Sequence, residues 1–314
     1  MVRSMSRKIL VMGGSGYIGS NVASFLMGKG EYVGIYDLVE GNVGCVFHQG
    51  DILHDAHLAE VLSQYDIIIY LICTVNPKKS MDHPNQYYDL DVPMLLKVLD
   101  ACRETGCKRV IFSSSGGTVY GEGLNRELRE DADCYPVNHY AIGKLLSEKI
   151  LLMYNDLYGM ENVILRISNP YGKGQKVNSG VGAVTIFTNK LLNGEPITLY
   201  SDPETVRDYV SITAILGAFY QAVYYEDRKD IVPVFNIGSG VGISLSELIS
   251  LLSESLGISA DVQVIENRGF DIKCNILNVD KARTYLGYDV SEDEREEIKK
   301  YALSLKEEYL KEGK

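Results

Sequence analysis

The sequence predicts an α/β chain: a doubly wound parallel sheet followed by a smaller α/β domain. Its first half alternates short apolar runs with longer helical patterns, the signature of βαβ units around a parallel sheet. After Pro170 the rhythm breaks, and Gly172, Gly174, Gly180, Gly182 and Gly194 cut the chain into shorter elements. Its 314 residues, 46% of them hydrophobic, suffice for one large α/β unit or two intimately joined domains.

In order, residues 8–12 read as the first strand, 17–29 as a helix, 32–37 and 43–49 as strands, and 55–63 as a helix. Residues 65–72 are so continuously apolar that they suit a central strand covered on both faces. A helix over 84–105 and a strand over 108–113 complete the next unit, followed by a long helix over 138–158 and a strand over 162–167. The stretch 291–314 reads as a charged amphipathic helix with a solvated polar face. The expected division is 1–170 as a nucleotide-binding domain, with 207–240 returning to it, and 171–206 with 241–314 as a substrate domain.

A net charge of −11 argues against non-specific attraction to nucleic acid or to anionic membrane. The six cysteines show no CxxC spacing, so neither a metal site nor a disulfide framework is expected. Residues 1–7 lack the apolar stretch of a signal peptide, and no run reaches the ~20 apolar residues of a membrane span. A soluble cytoplasmic protein is expected.

Gly13, Gly14, Gly16 and Gly19, with Tyr17 and Ile18 among them, follow the first strand and open the first helix. Glycines there let the backbone approach a pyrophosphate, whose charge meets amide N–H groups at the positive helix end. Asp37 closes the second strand 18 residues beyond Gly19, where a carboxylate accepts hydrogen bonds from a ribose diol and repels a 2′-phosphate. The cofactor this predicts is NAD, on a Rossmann-type sheet. Asp51 and Ile52, after the third strand, suit an adenine edge, with a helix N-cap as the alternative reading of Asp51.

Tyr140 and Lys144 lie four apart on one helix face, where an ammonium beside a phenol favours its ionised form. With 22 Tyr in the chain, about one such Tyr–Lys pair arises by chance. There are two, the other being Tyr225 and Lys229, so context must choose. Ser113, Ser114, Ser115, Gly116, Gly117 and Thr118 place hydroxyls at the carboxyl end of the fifth strand, 25 residues before Tyr140 when counted from Ser115.

Glycine loop, hydroxyl run and YxxxK in this order resemble the extended short-chain dehydrogenase/reductase family, in particular its nucleotide-sugar epimerase branch. The segment from Arg166 to Gly172 (RISNPYG), Arg207-Asp208-Tyr209-Val210, Phe235-Asn236-Ile237-Gly238, Lys281-Ala282 and Leu286-Gly287-Tyr288 are similar to later landmarks of that branch. The resemblance implies that Tyr140 is the base at a sugar hydroxyl and that Lys144 lowers its pKa and binds the nicotinamide ribose. It also implies that Arg207, Arg268 and Asn169 hold a nucleotide diphosphate, UDP above all, that Asp271, three residues after Arg268, and Asn275 bind the substrate, and that the chain pairs as a homodimer.

Three departures stand out. The family's Ser or Thr position falls on Gly116, so Ser115 or Thr118 must supply the hydroxyl. An Asp-Glu pair of the kind that follows the Thr in dehydrating members is missing, which favours epimerisation at C4; a 4-ketoreductase or dehydrogenase, a 4,6-dehydratase and a non-catalytic NAD-binding protein are the rivals. The segment Asp91 to Met94 stands where the family shows Asn, then Gly-Thr. Asn275 occupies a position where epimerases restricted to plain hexoses carry a bulky aromatic, so room for an N-acetyl group is expected.

Overall fold

The computed structural model describes residues 6–122, 127–177, 180–265, 272–290 and 293–311. In chain order the first elements are β1 (Lys8–Met12), α1 (Tyr17–Gly28), β2 (Tyr32–Asp37), β3 (Val46–Gln49), α2 (Leu58–Leu62), β4 (Ile67–Tyr70), α3 (Pro77–Asp82), α4 (Val92–Thr105), β5 (Arg109–Ser115), α5 (His139–Tyr158) and β6 (Val163–Ile167). There follow β7 (Asn169–Tyr171), α6 (Ala183–Leu192), β8 (Ile197–Leu199), β9 (Val206–Ser211), α7 (Ile212–Val223), β10 (Val234–Ile237), β11 (Gly242–Ser244), α8 (Leu245–Leu256), β12 (Val262–Val264), β13 (Cys274–Asn275) and α9 (Glu294–Lys311). No helix among the described residues is long and apolar enough to cross a membrane.

The chain divides into two compact units. The first comprises Met1–Ser115, Asn138–Arg166 and Leu216–Phe235; the second, Gly116–Val137, Ile167–Ile215 and Asn236–Lys314. Residues 116–137, expected in the first domain from chain continuity, group with the second. Glu122 ties them there by accepting from the amides of Lys273 (2.7 Å) and Cys274 (3.0 Å), and Leu128 exchanges backbone bonds with Ile276 and Asn278.

The seven-stranded parallel sheet runs β10-β6-β5-β4-β1-β2-β3. Its centre is β4, whose residues Ile67, Ile68, Ile69 and Tyr70 are all buried, as the continuous apolar run predicts. Chain order reverses between β1 and β4, and a crevice opens at such a switch point beyond the strand ends. Leu10, Met12, Ile68, Phe112, Leu95, Val98 and Leu151 pack a core on one side of the sheet.

The single helix expected over 84–105 differs. A wide π-type turn spans Tyr87–Asp91, and α4 starts only at Val92. Pro93 is the cause: it has no N–H for the carbonyl four residues back, and its ring crowds that carbonyl, so the preceding turn opens. The short helix α3 was not expected; Asn76 caps it by accepting from the Lys79 amide (2.8 Å), with Pro77 at its first position.

In the second unit β9 is central, flanked by β11 antiparallel and by β13 and β7 parallel, while β8 and β12 form a separate parallel pair. Leu248, Leu252, Ile197, Tyr209, Ile243 and Ile298 pack its core. Buried in that core, Glu294 accepts from the Tyr171 hydroxyl (2.6 Å), yet burial outweighs this bond and pushes its carboxyl up to about 7. A carboxyl raised by folding is neutral in both states at low pH, and the cost of ionising it inside the fold develops as pH rises. Glu294→Gln is therefore expected to stabilise the protein by about 1–3 kcal/mol at pH 8. Most of that gain should vanish by pH 5 in parallel urea unfolding curves.

Candidate active site

The glycine loop is shaped by what lies against it. Gly13 has φ 81°, and a Cβ there would stand 3.2 Å from the Ile72 amide just past β4, so only glycine lets β1 turn at the switch point. A Cβ on Gly19 would lie 2.2 Å from the Gly13 carbonyl oxygen, so α1 approaches the turn closely because that position is bare. Gly16 caps α1 without a side-chain bond, and no acid occupies the first turn. A Cβ on Gly16 would meet only the Gly13 oxygen, at 3.3 Å. The approach to the Tyr17, Ile18 and Gly19 amides is thus open to phosphate oxygens, and the loop fits a dinucleotide pyrophosphate.

Asp37 holds this loop. Its Oδ2 accepts from the Ser15 amide (3.0 Å) and its Oδ1 from the Leu38 amide (2.7 Å), while the Ser15 hydroxyl donates to the Val39 carbonyl (2.6 Å). A carboxylate has about four acceptor sites, so two such bonds leave capacity for a ribose diol at the same edge. Asp51 Oδ1 accepts from the Leu53 amide (3.1 Å), closing a turn six residues before α2 begins; Ile52 is buried behind it.

Asn138 fixes the other half of the first unit's site. Its side chain accepts from the Ala141 amide (2.9 Å) and starts α5, so Tyr140 and Lys144 fall on the first two turns. Tyr140 is hydrogen-bonded to the Ser115 side chain and packs edge-to-face on Tyr87 at 6.4 Å. Gly143 makes room for that packing, since a Cβ there would stand 2.2 Å from the Tyr87 ring. Lys144 is almost wholly buried; its Nζ donates to the Ser113 carbonyl (2.8 Å), 4.7 Å over the Phe112 ring and 5.8 Å from the Tyr140 ring centroid.

Burial pushes the Tyr140 phenol well above its ordinary range; Cys73 and Asp91 push the same way, and the Ser115 bond opposes them. The lowering expected from Lys144 does not prevail in the chain by itself, where burial of the phenol is the largest effect. Asp91, which sequence reasoning noted only as a departure, is buried and accepts from the Thr74 amide (2.8 Å) and hydroxyl (2.5 Å). The carboxylate standing at an Asn position was the available signal. Tyr225 and Lys229 lie beyond the end of α7, where four-residue spacing no longer brings side chains together.

The second unit holds Thr118, Asn169, Arg207 and Asn275; Arg268 and Asp271 lie outside the described residues. The Thr118 carbonyl accepts from the Gly121 amide in a turn (3.3 Å). Asn169 donates to the Asp208 carbonyl (2.9 Å), and a Cβ on Gly117 would stand 3.6 Å from its amide nitrogen. Fully buried Asn275 donates to the Gly116 carbonyl (3.1 Å), and among the described residues its Oδ1 has no partner. Arg207 donates to the Val206 and Ile272 carbonyls (3.0 and 2.5 Å). Asp208, fully buried, gathers the Ser239 and Gly240 amides and the Leu277 amide, so one carboxylate fixes β9 against two loops; burial pushes it up to about 6.

Residues 9–238 match the model of the NAD dependent epimerase/dehydratase family. The chain is 30% identical over 294 residues to the UDP-glucose 4-epimerase of Mycolicibacterium smegmatis, covering 90% of this chain and 93% of that one. Its structure is similar to the UDP-glucose 4-epimerase of Thermotoga maritima with UDP-glucose (TM-score 0.89, 29% identity, 96% and 99% of the two chains). It is also similar to the UDP-N-acetylglucosamine 4-epimerase of Methanobrevibacter ruminantium in complex with UDP-N-acetylmuramic acid (TM-score 0.88, 26% identity, 97% and 100%). Gly19→Ala should weaken NAD binding at least about tenfold in calorimetric titration with the circular dichroism spectrum unchanged, because the added methyl must displace the turn that meets the pyrophosphate.

Proposed function

The chain belongs to the NAD-dependent epimerase/dehydratase family, and from that premise we propose that it inverts C4 of a UDP-hexose through a transient 4-keto sugar. One observation carries the proposal: the Tyr140 phenol is bonded to the Ser115 side chain at the end of β5, and the Lys144 ammonium, one turn on along α5, lies 5.8 Å from the Tyr140 ring centroid.

In this reading Tyr140 takes the proton from the C4 hydroxyl and Ser115 holds that oxygen through its own hydroxyl. NAD, held by the glycine loop and Asp37, would supply the hydride acceptor and donor for C4, and its positive ring would lower the proton affinity of the phenol. Tyr140 then gives the proton back to the same oxygen, so neither acid nor base is consumed. Lys144 binds the ribose at the sheet edge and keeps a positive charge beside the phenol. Asn169, Arg207 and Arg268 take the UDP diphosphate, for which the guanidinium fork is well suited, and Asp271 binds elsewhere on the substrate. The unpaired Oδ1 of Asn275 supports an N-acetylhexosamine as an alternative substrate, since a buried acceptor without a donor is costly and an amide N–H satisfies it.

An apolar stripe also remains on the outer face of α5. Ile142, Leu146, Met153 and Leu157 are 41%, 40%, 44% and 64% exposed at helical spacing, which supports a homodimer joined along that helix. The net charge and the absence of any apolar run of membrane-spanning length support a cytoplasmic location.

Incubation with UDP-glucose, UDP-galactose and their N-acetyl forms, followed by product analysis, tests the reaction. C4 epimers formed without added cofactor are expected; net oxidation with released NADH would assign a dehydrogenase instead. Tyr140→Phe should lose about 10²-fold or more in turnover with NAD still bound. Ser115→Ala is expected to cost about 10–10²-fold, whereas Thr118→Ala stays within a few-fold of wild type, which separates the two hydroxyls.

A further inference from the structure

Three consecutive serines at the end of β5 each engage α5. The Ser113 carbonyl accepts from Lys144 Nζ (2.8 Å), the Ser114 hydroxyl donates to Glu148 Oε1 (2.5 Å), and the Ser115 side chain bonds Tyr140. Their partners stand at positions 144, 148 and 140, one turn apart along a single helix face. The rung from Ser114 to Glu148, at the far end of the three on α5, is of another kind from the other two. Glu148 is only 1% exposed and Arg166, on β6, 5% exposed, and they form a forked ion pair: Nη2 to Oε2 at 2.7 Å and Nε to Oε1 at 3.0 Å. A misaligned fork would leave buried charge unsatisfied, so the pair tolerates little sliding.

We propose that Glu148 is a positioning residue. Held by Arg166 from β6 and by Ser114 from β5, it fixes the height of α5 over the strand ends so that Tyr140 meets Ser115 and Lys144 meets the Ser113 carbonyl. Release of the Ser114–Glu148 rung lets α5 shift along β5. A displacement of a fraction of an ångström then loosens the Ser115 bond, which lowers the proton affinity of Tyr140. The groups facing that phenol from the packed elements are Cys73 after β4, Asp91 before α4, Tyr87 and Lys144. Each of them raises its proton affinity, buries it or lies too far to replace Ser115.

This inference rests on the epimerase reading for its kinetic consequence but not for its structural one, so two readouts are used. In the NAD-loaded, full-length protein without sugar, the ultraviolet titration step that disappears in Tyr140→Phe reports the Tyr140 phenol directly. Ser114→Ala, which leaves the ion pair intact, and Glu148→Gln should both move that step to higher pH, in the direction of Ser115→Ala. Ser114→Ala combined with Ser115→Ala should move it no further than Ser115→Ala alone. With UDP-hexose, kcat in Ser114→Ala should fall about tenfold or more while KM stays within twofold, since misplacement of reacting groups costs rate rather than binding. A phenol step in Ser114→Ala that coincides with wild type, or lowered thermal stability alone, overturns the proposal. Wild-type protein that gives no epimer while the phenol step still shifts overturns the epimerase reading and leaves the positioning role standing.

Discussion

The first unit's site depends on the docking of one helix on one strand end. A phenol and an ammonium on α5 must arrive beside the hydroxyl and carbonyl groups where β5 stops, and apolar packing alone is too permissive to set that height. The directional bonds are polar and buried: Glu148 with Arg166 and Ser114, Lys144 with Ser113, Ser147 with Tyr87 (3.1 Å) and Asn138 at the helix start. Around them the apolar residues Ala141, Leu151 and Tyr154 give the adhesion without the register. Polar contacts of this kind contribute little net stability, but a misaligned version leaves charge unsatisfied in the interior, so they exclude neighbouring arrangements.

The cofactor end of the first unit is organised by the same logic at smaller scale. Asp37 bonds both the glycine loop and its own strand end, so the loop's shape is fixed before any ribose arrives. In the second unit Asp208 does this for β9 and the loops at Ser239 and Leu277, with Asn169 attached through the Asp208 carbonyl. Each unit therefore carries a buried or half-buried acid whose bonds go to backbone amides. A backbone amide cannot rotate away, so these acids fix chain positions where side-chain pairs would fix only rotamers.

Much of this was legible in the sequence. β1, β2 and the apolar centre at β4 followed from period and composition, and the first glycine loop from its place between strand and helix. The Tyr140 pair stood out from the Tyr225 pair by its company, and the structure adds that the second lies off any helix. What escaped was set by single residues or by tertiary contact. Pro93 broke a periodicity that still read as one helix, and Asn76 started α3 in a stretch with little apolar pattern. Ser115 and Thr118 were equal by counting, and the bond from Ser115 to Tyr140 needed the fold to appear. Glu148 and Arg166 read as ordinary charged residues, because burial of a charge leaves no periodic signal when the partner is distant in sequence.

The raised proton affinity of Tyr140 has a use in such a site. A phenol that ionised freely would be a base at all times, able to abstract protons from a sugar that had no hydride acceptor beside it. Burial, Cys73 and Asp91 hold the proton on, and the Ser115 bond works against them. Ionisation must then wait for added positive charge close to the phenol, and Lys144, tied to the Ser113 carbonyl, is placed to assist rather than to suffice. The nicotinamide ring is positive when it can accept a hydride and neutral once it has done so. In the proposed reading a phenol poised on that difference becomes a base when oxidation is possible and regains its acid character when reduction is, which couples proton to hydride.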